Sequence, residues 1–356
     1  MTLFDCIVVG AGPAGATAAY HLAKLNRSVL LIEKAALPRH KPCGGGVSPA
    51  VAQWFDFDFE SVIESRITQV RYSWKQDDAI VSSLGKVEPM WMVKRNAFDH
   101  LIAQQAEAQG AQILSETEVT GIQDQGEQWQ VQTSGDTYQG RYLVAADGVK
   151  GPLADWLGFK GFKQFPSASL EIKTDVTTEQ QQTAYFDFGT VKNGYIWNFP
   201  KVDGFTISAS FLRGRGKPAE LKKQIFNYAE QFGLTPSQGQ FYEYEVNLWQ
   251  DNQSLDRGRA LLVGEAAGVL DPLTGEGNRP AIFTGVTAAS AIAKALDGDA
   301  QALSGYSETI ASEWGTEMVL ANRLAGLFYQ FPKIAYKVGV KRPAAAQIMR
   351  KILCVE

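Results

Sequence analysis

Three groups of residues in this chain of 356 have types and spacings suited to chemistry. The first is Gly10, Gly12 and Gly15, in the run VGAGPAG, with Glu33 further on. At that spacing Gly10 permits a tight turn from strand to helix, Gly12 lets the backbone approach a pyrophosphate, and Gly15 lets helix and strand pack closely. A helix opening at Pro13 and Ala14 offers free N–H groups and a positive dipole end to phosphate. Glu33, roughly twenty residues on, stands where a carboxylate accepts hydrogen bonds from ribose hydroxyls. The second group is Cys43 followed by Gly44, Gly45 and Gly46, a thiol opening a run without side chains. The third is Tyr195, Trp197 and Phe199, which alternate and therefore share one face of a strand. The last two groups also have plainer readings. Cys43 would serve as a buried thiol filling a turn, and aromatics on one strand face are commonly core.

The elements around these groups follow from periodicity and punctuation. An apolar run at 6–9, an amphipathic stretch at 13–24 and a second apolar run at 29–32 form a strand–helix–strand unit that binds an adenine dinucleotide, FAD or NAD(P). Lys34 follows its terminal acid. Residues 35–48 carry two prolines and three consecutive glycines, which exclude regular structure, and Arg39, His40 and Lys41 make this loop basic, as suits a segment along phosphates. Short strands are expected at 67–74 and 79–82, a helix from about Arg95 to Ala108, and strands at 113–122, 129–133 and 141–145, the last ending in Asp147-Gly148. From 161 to 249, alternating aromatic-rich segments point to a largely antiparallel sheet with one helix at 219–232. The α/β pattern then returns with a short buried strand at 260–263, a glycine loop from Gly264 to Asn278 and a helix at 279–296.

This pattern predicts an α/β fold with a discontinuous dinucleotide-binding domain (1–65, 94–160 and 255–300). A substrate domain (66–93 and 161–254) and a C-terminal helical region (301–356) complete it. The net charge of −4 carries no nucleic-acid signature. Cys6, Cys43 and Cys354 are too dispersed for a disulfide framework or a metal site. A first strand starting almost at Met1 leaves no room for a cleaved signal, and no run is long enough to span a bilayer. The expected location is the cytoplasm, with peripheral contact at the inner membrane as the alternative that the tail leaves open.

GAGPAG with Glu33, Arg95-x-x-Phe98-Asp99, Asp147-Gly148 and GEAAG…DPLTGEG occur in the order of the FAD-dependent oxidoreductases of the para-hydroxybenzoate hydroxylase fold, which the chain resembles. Within them, Lys41-Pro42-Cys43-Gly44-Gly45-Gly46 and Gly194-Tyr195-x-Trp197-x-Phe199-Pro200-Lys201 resemble the geranylgeranyl reductase family. The resemblance implies a Rossmann-like FAD-binding domain, a mostly antiparallel substrate domain and C-terminal helices. It implies that Gly10, Gly12, Pro13, Ala14 and Gly15 hold the FAD pyrophosphate and Glu33 the adenosine ribose, with Lys34 and Arg39 beside them. Arg95 would lie along the ribityl-phosphate, Asp147 and Gly148 would support the same region, and Gly264 and Glu265 would approach the ribityl hydroxyls. Gly275, Gly277 and Asn278 would turn backbone N–H groups to the pyrimidine edge. Cys43, Gly44 and Gly45 would face the ring. Tyr195, Trp197 and Phe199, with Gly46, would line an isoprenoid channel, and Cys43, Tyr195 and Trp197 would be the catalytic candidates. No metal is implied.

Two departures stand out. Glu265 replaces the family's usual Asp, and Asn278-Arg279-Pro280 replace its usual apolar residues. Arg279 would either stabilise an anionic reduced flavin or point to solvent. The implied activity is saturation of C=C bonds of a geranylgeranyl-type chain, with FAD supplying hydride. With a single dinucleotide fingerprint, electrons would come from transiently docked NAD(P)H or a protein donor. The competing readings are a flavin monooxygenase hydroxylating an aromatic or lipid substrate, and a catalytically altered flavin lipid-binding protein. In the tail, Leu324, Leu327, Phe328, Phe331, Ile334, Val338 and Val340 form an apolar face. Arg323, Lys333, Lys337, Lys341, Arg342, Arg350 and Lys351 surround it. Such a segment either packs on the protein's own substrate domain or touches a membrane surface.

Overall fold

The computed structural model describes residues 2–85, 89–214 and 216–342, which fall into two compact units. The first comprises Met1–His40, Asn96–Gln164 and Asn247–Asn322, and the second Lys41–Arg95, Phe165–Val246 and Arg323–Glu356. Two boundaries differ from expectation. Residues 41–65 group with the second unit, and the C-terminal region divides between the two near Asn322.

In the first unit the strand Leu3–Val9 lies between Thr137–Ala145 and Val29–Ile32, parallel to both. Gln112–Leu114 and Ala260–Leu262 extend the parallel sheet on either side. All four residues of Val29–Ile32 are buried, as expected of a parallel strand covered on both faces. The helix Pro13–Lys24 packs on the helix Asn278–Leu296 almost backbone to backbone. A Cβ on Gly285 would come within 2.4 Å of the Ala14 carbonyl oxygen. The single strand expected at 113–122 is two, Gln112–Leu114 and Val119–Asp124. Glu116 between them takes φ +54°, a left-handed conformation that ends an extended strand, and the next N–H, of Thr117, donates to the Glu33 carbonyl.

The second unit holds a seven-stranded sheet in the order Gln240–Asn247, Gln164–Lys173, Gly204–Phe211, Gly194–Lys201, Thr183–Phe188, Gln69–Trp74 and Asp77–Ser83. Its registered pairs are antiparallel except Thr183–Phe188 with Gln69–Trp74. On one face the helix Pro218–Gln231 buries Leu221, Ile225 and Tyr228 against Leu170, Ile196 and Ile207. Tyr195, Trp197 and Phe199 occupy the other face of their strand, as the period of two requires. A small sheet of Gly46–Val47, Met90–Val93 and Ile63–Ile67 completes the unit. The loop expected over 35–48 is therefore regular at its end. Gly46 and Val47 pair with Met92 and Trp91, and that pairing carries the glycine run into the second unit.

Candidate functional site

The first unit contains a cradle at the start of the helix Pro13–Lys24. Gly10 takes φ +105°, and a Cβ there would lie 2.3 Å from the Ala146 carbonyl oxygen; one on Gly15 would lie 1.9 Å from the Gly10 carbonyl oxygen. Both glycines are required by the protein's own packing. Gly12 differs. Its φ of −76° suits any residue, and a Cβ there would meet only the Arg39 Nη2, at 3.5 Å. No side chain caps the helix, so its first N–H groups and a guanidinium border the space that a Gly12 side chain would enter. That is a site for an anion.

Arg39 is held there by two carboxylates. Its Nε donates to Glu33 Oε2 at 3.0 Å and its Nη1 to Asp99 Oδ2 at 3.3 Å. Glu33 also accepts the N–H of Ala11 at 2.9 Å and of Ala35 at 3.1 Å. A carboxylate has about four acceptor sites, so one remains for a ribose hydroxyl. Lys34 is exposed, and its charge acts on Asp147. Burial pushes Asp147 up to about 6, against the lowering effect of the Leu153 N–H on Oδ2. Its Oδ1 is buried and has no hydrogen-bond partner among the described residues. Gly148 follows at φ +78°.

Further on, Gly264 takes φ +62°, and a Cβ there would press to 2.8 Å from the Ala14 Cβ, so the second glycine loop abuts the first helix. Beside it, the Glu265 carbonyl accepts from Asn247 Nδ2 at 3.0 Å. The donors expected to face a flavin edge are largely committed inside their own loop. Gly275 N–H donates to the Asp271 carbonyl, and the N–H groups of Asn278 and Arg279 both donate to Glu276 Oε1, at 2.9 and 3.0 Å. The physical reason is the adjacent acid, which caps the helix Asn278–Leu296 itself. Burial, opposed by those N–H groups and reinforced by Asp271, pushes Glu276 up to about 7. Gly277 is close-packed, since a Cβ would meet Leu270 Cδ1 at 2.1 Å. Arg279 lies with its guanidinium carbon 5.4 Å from the centre of the Trp314 ring, which stacks on Phe283.

The second unit brings the other two groups of sequence candidates together. The glycine run lies flush against the aromatic strand face. A Cβ on Gly44 would meet Phe199 Cδ2 at 2.7 Å and Trp197 Nε1 at 2.8 Å, and one on Gly46 would meet Phe199 at 2.9 Å. These glycines are thus required by the protein's own aromatic wall, before any ligand is considered. Tyr195 lies 5.4 Å from Trp197 and 5.5 Å from Phe188, centre to centre. Tyr195 and Phe199 are buried and Trp197 is half-buried, so the face is partly core. Cys43, also half-buried, accepts the N–H of Gly45 on its Sγ at 3.4 Å. Arg95 is buried at the start of the helix Arg95–Ala108.

The residue this reading missed is Lys201. It is buried, its Nζ donates to the carbonyls of Gly44 at 2.7 Å and Val93 at 2.8 Å, and desolvation lowers its pKa, with Cys43 the largest opposing influence. The signal was present. Positions 195, 197, 199 and 201 share one strand face, and a lone lysine on an aromatic face needs carbonyl or carboxylate partners. Gly45 makes room for it, at φ +77° with a Cβ position 2.2 Å from that ammonium. Lys201→Met is expected to destabilise the protein by about 2–4 kcal/mol, because two buried carbonyls lose their donor. Urea unfolding checks this; an unchanged midpoint and slope would mean that the tie is energetically idle.

A family model described as the FAD binding domain matches residues 4–312, a span that includes both glycine loops and the aromatic strand. The chain belongs to this FAD-binding family. FAD is its cofactor and it is an FAD-dependent oxidoreductase, and the uncapped helix, the open side of Gly12 and the orphaned Asp147 Oδ1 fit that cofactor. An uncharacterized protein of Methanosarcina barkeri is 31% identical over 306 residues, covering 83% of this chain and 76% of that one. A digeranylgeranylglycerophospholipid reductase of Methanococcus vannielii is 27% identical over 341 residues, 88% of this chain and 81% of its own. The solved structure of a geranylgeranyl bacteriochlorophyll reductase-like protein from Thermoplasma acidophilum superposes with a TM-score of 0.83 at 22% identity, covering 99% of this chain and 91% of that one. The fold is thus that of the para-hydroxybenzoate hydroxylase-like flavoproteins, and the resemblance to geranylgeranyl reductases drawn from the motifs is met by relatives of that name.

Proposed function

We propose that this flavoprotein saturates C=C bonds in the prenyl chain of a geranylgeranyl-type lipid, with NAD(P)H or a protein as electron donor. The observation that carries this is the glycine run seated on the aromatic face, an apolar wall with a thiol at one end. Lys201, on the same strand face, is held by two carbonyls. Such a wall suits a hydrocarbon chain. The name of the Methanococcus relative points the same way.

Reduction of an isolated alkene requires a hydride at one carbon and a proton at the other; reduced FAD supplies the hydride when bound. The chain's own tasks are binding, orientation and proton supply. The helix N-terminus at Gly12–Gly15, with Arg39, would hold the pyrophosphate, and the remaining acceptor site of Glu33 would take a ribose hydroxyl. Asp147 Oδ1, buried without a partner among the described residues, would be free to accept a further donor from the cofactor. Trp197 and Phe199 hold the prenyl chain and exclude water. The Cys43 Sγ–H delivers the proton and recovers it from solvent, with the Tyr195 hydroxyl as the second candidate. Mass spectrometry of prenyl lipids from cells with and without the protein tests this. Loss of the protein should leave a more unsaturated species in place of a more saturated one, and identical lipid profiles would count against the assignment.

A further inference from the structure

Among the described residues, eleven large hydrophobic side chains are exposed, and six of them lie between Leu320 and Val338. Five belong to the second unit: Leu324, Leu327, Phe331, Ile334 and Val338, with exposures of 46, 63, 53, 62 and 54%. Leu324 and Leu327 share one exposed side of the helix Thr316–Gln330, Phe331 stands at the bend that ends it, at φ −129°, and Ile334 and Val338 are exposed on the helical turns that follow, so the five form a row along the segment.

The segment is anchored by its opposite side. Phe328 packs on Phe188 at 5.4 Å, so it is not available to insert elsewhere, in contrast to Phe331. Tyr336 is fully buried, lies 5.8 Å from Trp74 and donates from its hydroxyl to the Asp78 carbonyl at 2.6 Å. Lys341 closes the segment with an ion pair to Asp78 at 2.5 Å. Of the two readings of the tail, packing on the unit's own sheet therefore accounts for one face. The stripe is the other.

Charge bears on what would cover that stripe. From Met318 to Arg342 there is no Asp or Glu, while Arg323, Lys333, Lys337, Lys341 and Arg342 are present in a chain whose net charge is −4. Lys333 and Lys337 are exposed in a row of their own, one position before Ile334 and Val338. Long lysine side chains beside an apolar row can bury their stems and leave their ammonium groups at a polar boundary. A second copy docked through the same patch would bring two such basic rows together without any acid between them. None of the described helices is long and apolar enough to cross a membrane.

We infer that the stripe from Leu324 to Val338 is a docking face for an anionic lipid surface, lying in the headgroup boundary with Lys333 and Lys337 against lipid phosphates. This holds whatever reaction the flavin site catalyses. Arg350 and Lys351 lie outside the described residues.

The full-length holoprotein should co-sediment with phosphatidylcholine vesicles containing phosphatidylglycerol, weakening but not vanishing as salt rises. Pure phosphatidylcholine vesicles should bind it far less. Lys333→Gln with Lys337→Gln should lower the partition onto anionic vesicles by roughly thirtyfold. Leu327→Ser, Phe331→Ser and Ile334→Ser together should abolish the salt-resistant remainder. Flavin content and thermal unfolding serve as folding controls, and removal of residues 343–356 should leave binding intact. Equal binding to neutral vesicles, or none to either, would overturn the inference. So would binding lost on that truncation but kept in both substituted proteins. A dimer in sedimentation that the serine variant dissolves, without vesicle binding by the parent, would assign the stripe to self-association instead.

Discussion

Gly12→Val should fold like the parent and fail to retain FAD. The two outcomes separate because of where this glycine's missing side chain points. At Gly10 and Gly15 an added Cβ would strike backbone atoms at 2.3 and 1.9 Å, so those substitutions would damage the fold itself. At Gly12 the backbone is already in a region open to any residue, and only the Arg39 guanidinium is near, at 3.5 Å. The valine methyl groups would occupy the space beside the uncapped helix N-terminus that the proposed function gives to the pyrophosphate. Overpacking of this kind costs about 1–3 kcal/mol where neighbours can yield, or up to about a hundredfold in affinity. Helix N–H groups cannot yield, so the expected loss lies at or above the upper end. Titration of flavin-stripped protein, with thermal unfolding in parallel, checks it. Parent-like FAD binding would place the cofactor phosphates elsewhere.

The second large effect is expected at Cys43. Cys43→Ala should keep FAD, because the dinucleotide cradle lies in residues of the first unit, and should lose alkene reduction by about 10²–10⁴ if the thiol supplies the proton. The thiol also accepts the Gly45 N–H, so loss of loop geometry is a competing cause. Cys43→Ser separates the two. Its hydroxyl keeps an acceptor at that position but is a far weaker acid, so a proton-supply role leaves the serine variant slow with a changed pH–rate profile. A purely structural role would let serine restore the parent rate. If alanine itself turns over at the parent rate, proton supply passes to Tyr195 or to water.

Much of the fold was legible because its punctuation is strong. The glycines from Gly10 to Gly15, the buried run at 29–32 and the alternation of Tyr195, Trp197 and Phe199 each correspond to one backbone geometry, and the chain adopts it. Other features depend on partners distant in sequence. Gly46 and Val47 form a strand only because Trp91 and Met92 lie alongside, which glycine content cannot reveal. The break at Glu116 rests on a left-handed residue that carries no glycine or proline signal. At the site, motif positions located the cradle and the wall, while the interactions that hold them had to be seen. Arg39 is fixed by Glu33 and Asp99, sixty residues from it in the second case. Glu276 takes the Asn278 N–H and the Asp271 carbonyl the Gly275 N–H, two of the donors that the glycine loop was expected to turn outward, and Arg279, open between flavin and solvent in the sequence, lies over Trp314. Lys201 was visible within its motif, but its role became clear only with the carbonyls of Gly44 and Val93 beside it.

Single-turnover reaction of the purified protein, chemically reduced under anaerobic conditions and mixed with a geranylgeranyl lipid, tests the central claim most directly. The expected product is heavier by two hydrogens for each double bond saturated, forms without oxygen, and carries solvent deuterium when the reaction is run in heavy water. A product that appears only when oxygen is admitted, and that has gained an oxygen atom, would contradict the reductase assignment and make the protein a monooxygenase.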